Sequence, residues 1–105
     1  MKTNIKEIII QADGSDCFWS PEGLIGLDEL GRGDLSKLSK EFSDWGMKKE
    51  LKFPNFDGFD WKSYHEKGIG LSRKLKKVVG SSVRIIYRKS PDDPKYQVDE
   101  YTEIK

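Results

Sequence analysis

The chain contains one cysteine, Cys17, and one histidine, His65. A thiolate activated by an imidazole would be a nucleophilic pair. Nothing in the sequence pattern brings these two together, and a lone cysteine reads first as a small buried apolar group. With one imidazole and one thiol, a metal site would have to be built largely from carboxylates. His65 reads instead as a solvated residue on a helix surface. Gly68-Ile69-Gly70 lies inside a helical pattern, not between a strand and a helix start, so it does not read as a phosphate loop. Small residues at that point imply close contact between the helix and a neighbouring element. No catalytic residue, metal ligand or cofactor site is legible, and the chain reads as a non-enzyme.

Charge is distributed unevenly. The net charge is only +1, with 35% charged residues, so the whole chain has no generic attraction to nucleic acid or membrane. Residues 13–34 carry Asp13, Asp16, Glu22, Asp28, Glu29 and Asp34 against Arg32 alone. Phe18 and Trp19 lie in the same stretch. Carboxylates beside aromatic anchors suit a basic protein partner; a solvated loop with its aromatics over a sheet edge is the plainer reading. From Lys62 to Lys89 the balance is opposite, with nine Lys or Arg against Glu66. Such a segment could contact phosphates through Lys74, Lys77, Arg84 and Arg88. Basic side chains on the outer face of an amphipathic helix are usually just solvated.

The elements that must hold these residues follow from periodicity. Residues 5–12 alternate as a strand, with Ile8, Ile10 and Ala12 on one side and Glu7, Ile9 and Gln11 on the other. Ile9 leaves the second side partly apolar. Residues 13–34 show no sustained period and read as a packed, glycine-rich loop, with LIGL a candidate edge strand. Asp34 reads as the N-cap of a first helix whose Leu35, Leu38, Phe42 and Trp45 form a stripe. This helix ends at Gly46 or continues through Lys49. Phe53, Phe56 and Phe59, around Pro54, should tuck beneath the helices. Asp60 reads as the N-cap of a second helix, whose Trp61, Tyr64, Gly68, Leu71, Leu75 and Val78 share a face. Gly80 closes it. Val83, Ile85 and Tyr87 then alternate with Arg84, Ile86 and Arg88 as a strand. In the remainder Tyr96 and Val98 alternate, so residues 90–105 read as an extra strand or a flexible tail.

The expected architecture is therefore one α/β (α+β) domain over residues 1–105. It is a two-layer sandwich, with two helices on one face of a small, mainly antiparallel sheet of two to four strands. A helical hairpin between the outer strands would set the second strand antiparallel to the first. The other sheet face, bearing Glu7, Ile9, Gln11, Arg84, Ile86 and Arg88, would be left open. One cysteine excludes an internal disulfide, and no apolar run suits a signal peptide or a membrane span. The expected location is the cytoplasm, and the expected state a monomer or weak dimer.

Several strings resemble a known family. The strand ending in Ala12-Asp13, the Cys17-Phe18-Trp19 cluster and Leu27-Asp28-Glu29-Leu30 look like the opening of a group of small bacterial cytosolic proteins. Leu35, Leu38, Phe42 and Trp45 resemble that group's first helix, Glu66-Lys67-Gly68 with Leu71 and Leu75 its second, and VRIIYR its closing strand. The match spans most of residues 8–88. The Gly-rich turn at 31–33, the FPNFDGFDW linker and the long C-terminal tail depart from it. The chain is similar here to immunity proteins of contact-dependent growth inhibition systems, the CdiI type. These bind and neutralise the C-terminal toxin domain of a CdiA effector. The resemblance implies a toxin inhibitor that needs no cofactor and does not bind nucleic acid directly. Such toxins are often nucleases with basic clefts, which an acidic loop could occlude. Asp16, Trp19, Glu22, Asp28, Glu29 and Asp34 are then the expected toxin-binding residues. The alternative is a small nucleic-acid-binding regulator that uses the basic unit at 62–89.

Overall fold

A computed structural model describes residues 5–13, 16–21, 23–27, 35–53, 55–90 and 101–105. The chain runs through strands β1 (Glu7–Asp13), β2 (Asp16–Ser20) and β3 (Gly23–Leu24), and helices α1 (Ser36–Glu50) and α2 (Trp61–Val79). Strands β4 (Arg84–Arg88) and β5 (Tyr101–Ile104) follow. The fold is α+β: two helices cover one face of a sheet ordered β3-β2-β1-β4-β5. Five strands replace the expected two to four. Part of the difference lies in residues 16–24, which read as loop and form β2 and β3. Alternation is broken there because the β1–β2 register shifts between Ile10 and Asp13. Consecutive Cys17 and Phe18 are both buried. The Cys17 thiol points at the Phe42 carbonyl at 3.4 Å, and the Phe18 ring meets Phe42 edge-on. The edge strand expected within LIGL is instead Gly23–Leu24, which shares only Leu24 with that string.

The topology also differs. Expected to be antiparallel, β1 and β4 are parallel neighbours, while the other three pairings are antiparallel. After α2 the chain re-enters the sheet beside the start of β1, where the Arg84 N–H donates to the Lys6 carbonyl at 2.7 Å, so β4 runs in the direction of β1. The antiparallel hairpin is fixed by two links between α1 and α2: Lys74 to Glu41, and the Trp45 ring against Tyr64.

Apolar burial follows the sequence pattern closely. Ile8, Ile10 and Ala12 of β1, and Val83, Ile85 and Tyr87 in and just before β4, face the helices and are buried. Leu35, Leu38, Phe42 and Trp45 form the buried stripe of the first helix. That helix passes through Gly46 to Glu50. Its N-cap position is Leu35, with no side-chain cap; Asp34, the expected cap, lies outside the described residues. Asp60 caps α2 as expected, accepting from Ser63 N at 3.1 Å, and Gly80 ends it at a positive φ of 68°. Val78 was expected on the buried stripe and is 45% exposed, while Val79 is buried. At 3.6 residues per turn, Val79 lies nearer the centre of the arc set by Trp61, Gly68 and Leu75. Phe53, expected beneath the helices, is 57% exposed. Only Phe56 and Phe59 pack on the core. Tyr96 and Val98 lie outside the described residues, and the last strand is Tyr101–Ile104.

Gly68 and Gly70 part company in the structure. A Cβ on Gly68 would stand 2.5 Å from Trp45 Cζ2 and 2.6 Å from Tyr87 Cε1; on Gly70 it would meet nothing within 4 Å. The close contact expected of this pair belongs to Gly68 alone. Gly68→Ala should therefore destabilise the protein by about 1–2 kcal/mol, overpacking outweighing the helix-propensity gain. Gly70→Ala should stabilise it by up to about 1 kcal/mol. Urea midpoints of both variants check the pair. A stabilised Gly68→Ala would mean that the α1–α2–β4 contact is looser than described.

Candidate functional site

Residues that face away from the helices form a second surface. Cross-strand partners share a sheet face, so the register generates it directly. Ile9 of β1 pairs with Trp19 of β2 and Ile86 of β4; Trp19 pairs with Leu24 of β3, and Ile86 with Glu103 of β5. Leu24, Trp19, Ile9 and Ile86 thus form one apolar row across four adjacent strands. At a strand spacing of ~4.8 Å the row spans about 14 Å. Leu24 is 50% exposed, and Trp19, Ile9 and Ile86 are half-buried. No described helix packs on this face.

Polar groups flank the row on both sides along the strands. On one side Arg84 bridges Glu7 and Glu103, at 3.2 Å to each. The hydrogen bond from Arg84 is the main reason the Glu103 carboxyl titrates below its usual range; the same bond raises the Arg84 pKa. On the other side the Arg88 guanidinium lies 5.1 Å from the Tyr101 ring centroid. The Trp19 indole N–H donates to the Gln11 carbonyl at 3.4 Å, which lays the ring along β1.

Among the six expected binding residues, Trp19 is the one whose side chain is described, and it lies on this face. Asp16 begins β2 opposite Asp13. Glu22, Asp28, Glu29 and Asp34 lie outside the described residues. The four basic residues of the alternative reading do not converge. Lys74 and Lys77 are exposed on α2, in the helical layer, whereas Arg84 and Arg88 lie on the opposite face of the sheet. Two of the four are also ion-paired: Lys74 with Glu41, and Arg84 with two glutamates.

His65 was expected on the helix surface and is fully buried. Its Nδ1 lies 2.8 Å from Tyr87 Oη, and its ring stacks on Trp61. The buried arc of α2 is wider than its apolar stripe, because His65 and Ser72 line it as well. Ser72 manages this by donating to the Gly68 carbonyl at 2.8 Å. A helix wedged between a second helix and a sheet buries more than one stripe, and polar residues at i and i+7 were the available sign. No group of three or more His, Cys, Asp or Glu among the described residues could hold a metal ion. No described helix is long and apolar enough to cross a membrane. Compared with protein-family models, curated proteins and solved structures, the chain matches none.

The His65–Tyr87 bond joins α2 to the strand that presents Ile86, so its loss should be measurable. Tyr87→Phe should lower stability by about 1–3 kcal/mol, since it withdraws a hydrogen-bond partner from a buried ring nitrogen. Chemical denaturation checks this, and an unchanged midpoint would remove the bond from the account.

Proposed function

We propose that the chain is an immunity protein of the contact-dependent growth inhibition type. It binds the C-terminal toxin domain of a CdiA effector in the cytoplasm and neutralises it by covering the active site. The observation that carries this reading is the position of Trp19. It sits inside an apolar row on a sheet face that no described helix covers, within a stretch, residues 13–34, that holds six acids against Arg32. Interface hot spots favour such an aromatic, ringed by polar groups. Asp16, Glu22, Asp28, Glu29 and Asp34 lie near it in the sequence, and carboxylates on such a segment speed encounter with a basic nuclease cleft. Inhibition by occlusion requires no chemistry from the inhibitor, which suits a chain whose cysteine and histidine are both committed to the core.

The nucleic-acid reading has less support. Its four basic residues point to two sides of the molecule, and Arg84 and Lys74 already face carboxylates.

The test is co-expression with the toxin domain encoded immediately upstream. The wild-type chain should co-purify with it and rescue growth. Trp19→Lys should weaken the complex by about 30-fold or more, as expected for loss of a central hot spot of ~2 kcal/mol. Lys77→Glu, on the opposite side, should bind normally. Absence of a complex with the wild-type chain, and of rescue, would end the proposal. Undiminished binding by a folded Trp19→Lys variant would move the interface elsewhere.

A further inference from the structure

A cleft of about 370 Å³ lies at the joined end of the helical hairpin, in the layer opposite the open sheet face. Its floor is aromatic. Trp45 and Tyr64 stack with ring centroids 4.7 Å apart and planes 14° from parallel, and Phe59 lies against Tyr64. The Trp45 indole N–H is spent on the Tyr64 carbonyl at 2.9 Å, so the floor offers little but apolar surface.

The rim is cationic. Lys48, Lys52 and Lys67 line it and are solvent-exposed. None of the three ammonium groups belongs to an ion pair among the described residues. Elsewhere on the same helices lysines do find carboxylates, Lys40 at Asp44 and Lys74 at Glu41. Among the described lining residues the one acid is Asp60. Its carboxylate is occupied by the backbone N–H and hydroxyl of Ser63, at 3.1 and 2.7 Å. Asp60 keeps its negative charge, so the described lining carries three positive charges against one around an apolar base.

We propose that this cleft binds a nucleoside diphosphate. The base would lie against the half-buried Phe59 ring, above the buried Trp45–Tyr64 pair, and the phosphates would be held by Lys48, Lys52 and Lys67. The volume falls at the lower end of the range for small-ligand sites, about 300–1,000 Å³. It matches one nucleotide and not a polynucleotide track. Aromatic surface accepts any flat base face, and the lysines supply the salt-sensitive share of binding. The site stands independently of the toxin-binding reading, because it shares no residue with the open sheet face.

The test is isothermal titration calorimetry on the full chain at low salt, with ADP, adenosine and inorganic pyrophosphate as separate probes. ADP should bind, and adenosine and pyrophosphate should each bind at least about tenfold more weakly, since each offers half of the recognition. Lys48→Glu and Lys67→Glu should each weaken ADP by about tenfold, and Lys77→Glu, at the far end of α2, should not. Circular dichroism verifies folding; Lys52→Glu replaces any variant that fails it. Three results would each overturn the proposal. They are no ADP binding up to millimolar concentration, pyrophosphate binding as tightly as ADP, and equal effects of Lys77→Glu and Lys67→Glu.

Discussion

Three elements meet at one residue without a side chain. At Gly68 the backbone of α2 comes so close to Trp45 of α1 and Tyr87 of β4 that a methyl group would collide with both rings. Helix, helix and sheet are thereby set at their distances at a single point. Two bonds around it cross between elements: Tyr87 reaches His65, and Trp45 donates to the Tyr64 carbonyl. Interiors this closely packed transmit small changes in volume, so Gly68 governs how the whole helical layer seats on the sheet.

Seating both helices on one side has a direct consequence on the other. A five-stranded sheet has two faces, and the described helices cover one. The face that no described helix covers carries an apolar row instead of the polar residues that usually face water. Ile9 and Ile86 are adjacent because β1 and β4 are parallel neighbours, and Trp19 joins them because β2 pairs on the other flank of β1. The surface assigned to the toxin is thus a product of strand order, while the cleft assigned to a nucleotide is a product of the helical hairpin. One chain offers two chemically different sides.

Much of this was legible in the residues. The stripe of the first helix, that of the second apart from Val78, the inward sides of the first strand and of Val83, Ile85 and Tyr87, the Asp60 cap and the Gly80 stop all follow from spacing and local chemistry. So does the membership of the second sheet face, Glu7, Ile9, Gln11, Arg84, Ile86 and Arg88. The rest turned on non-local facts. The strand at 16–20 was hidden because Cys17 and Phe18 both point inward, which spoils alternation. Spacing does not tell at which end of the sheet the helical hairpin returns, so the direction of β4 came out reversed. His65 was misplaced because helical periodicity counts apolar residues, and a buried imidazole bonded to a tyrosine is not one. In the candidate site, Trp19 stood out as an aromatic among acids. Its companions Leu24, Ile9 and Ile86 emerge only from the register. The lysine-rimmed cleft needed the hairpin to bring Lys48 and Lys52 alongside Lys67.

The account rests on one division, with partner binding on the open sheet face and the helical layer turned away from it. The chain's three tryptophans report on it directly. Trp19 lies on the open face, and Trp45 and Trp61 are buried in the helical layer. A nitrogen-15 spectrum of the three indole N–H groups, recorded with and without the toxin domain, reads both sides at once. The account predicts that the Trp19 resonance shifts or broadens while those of Trp45 and Trp61 stay in place. Movement of the Trp45 and Trp61 signals with an unmoved Trp19 would contradict it.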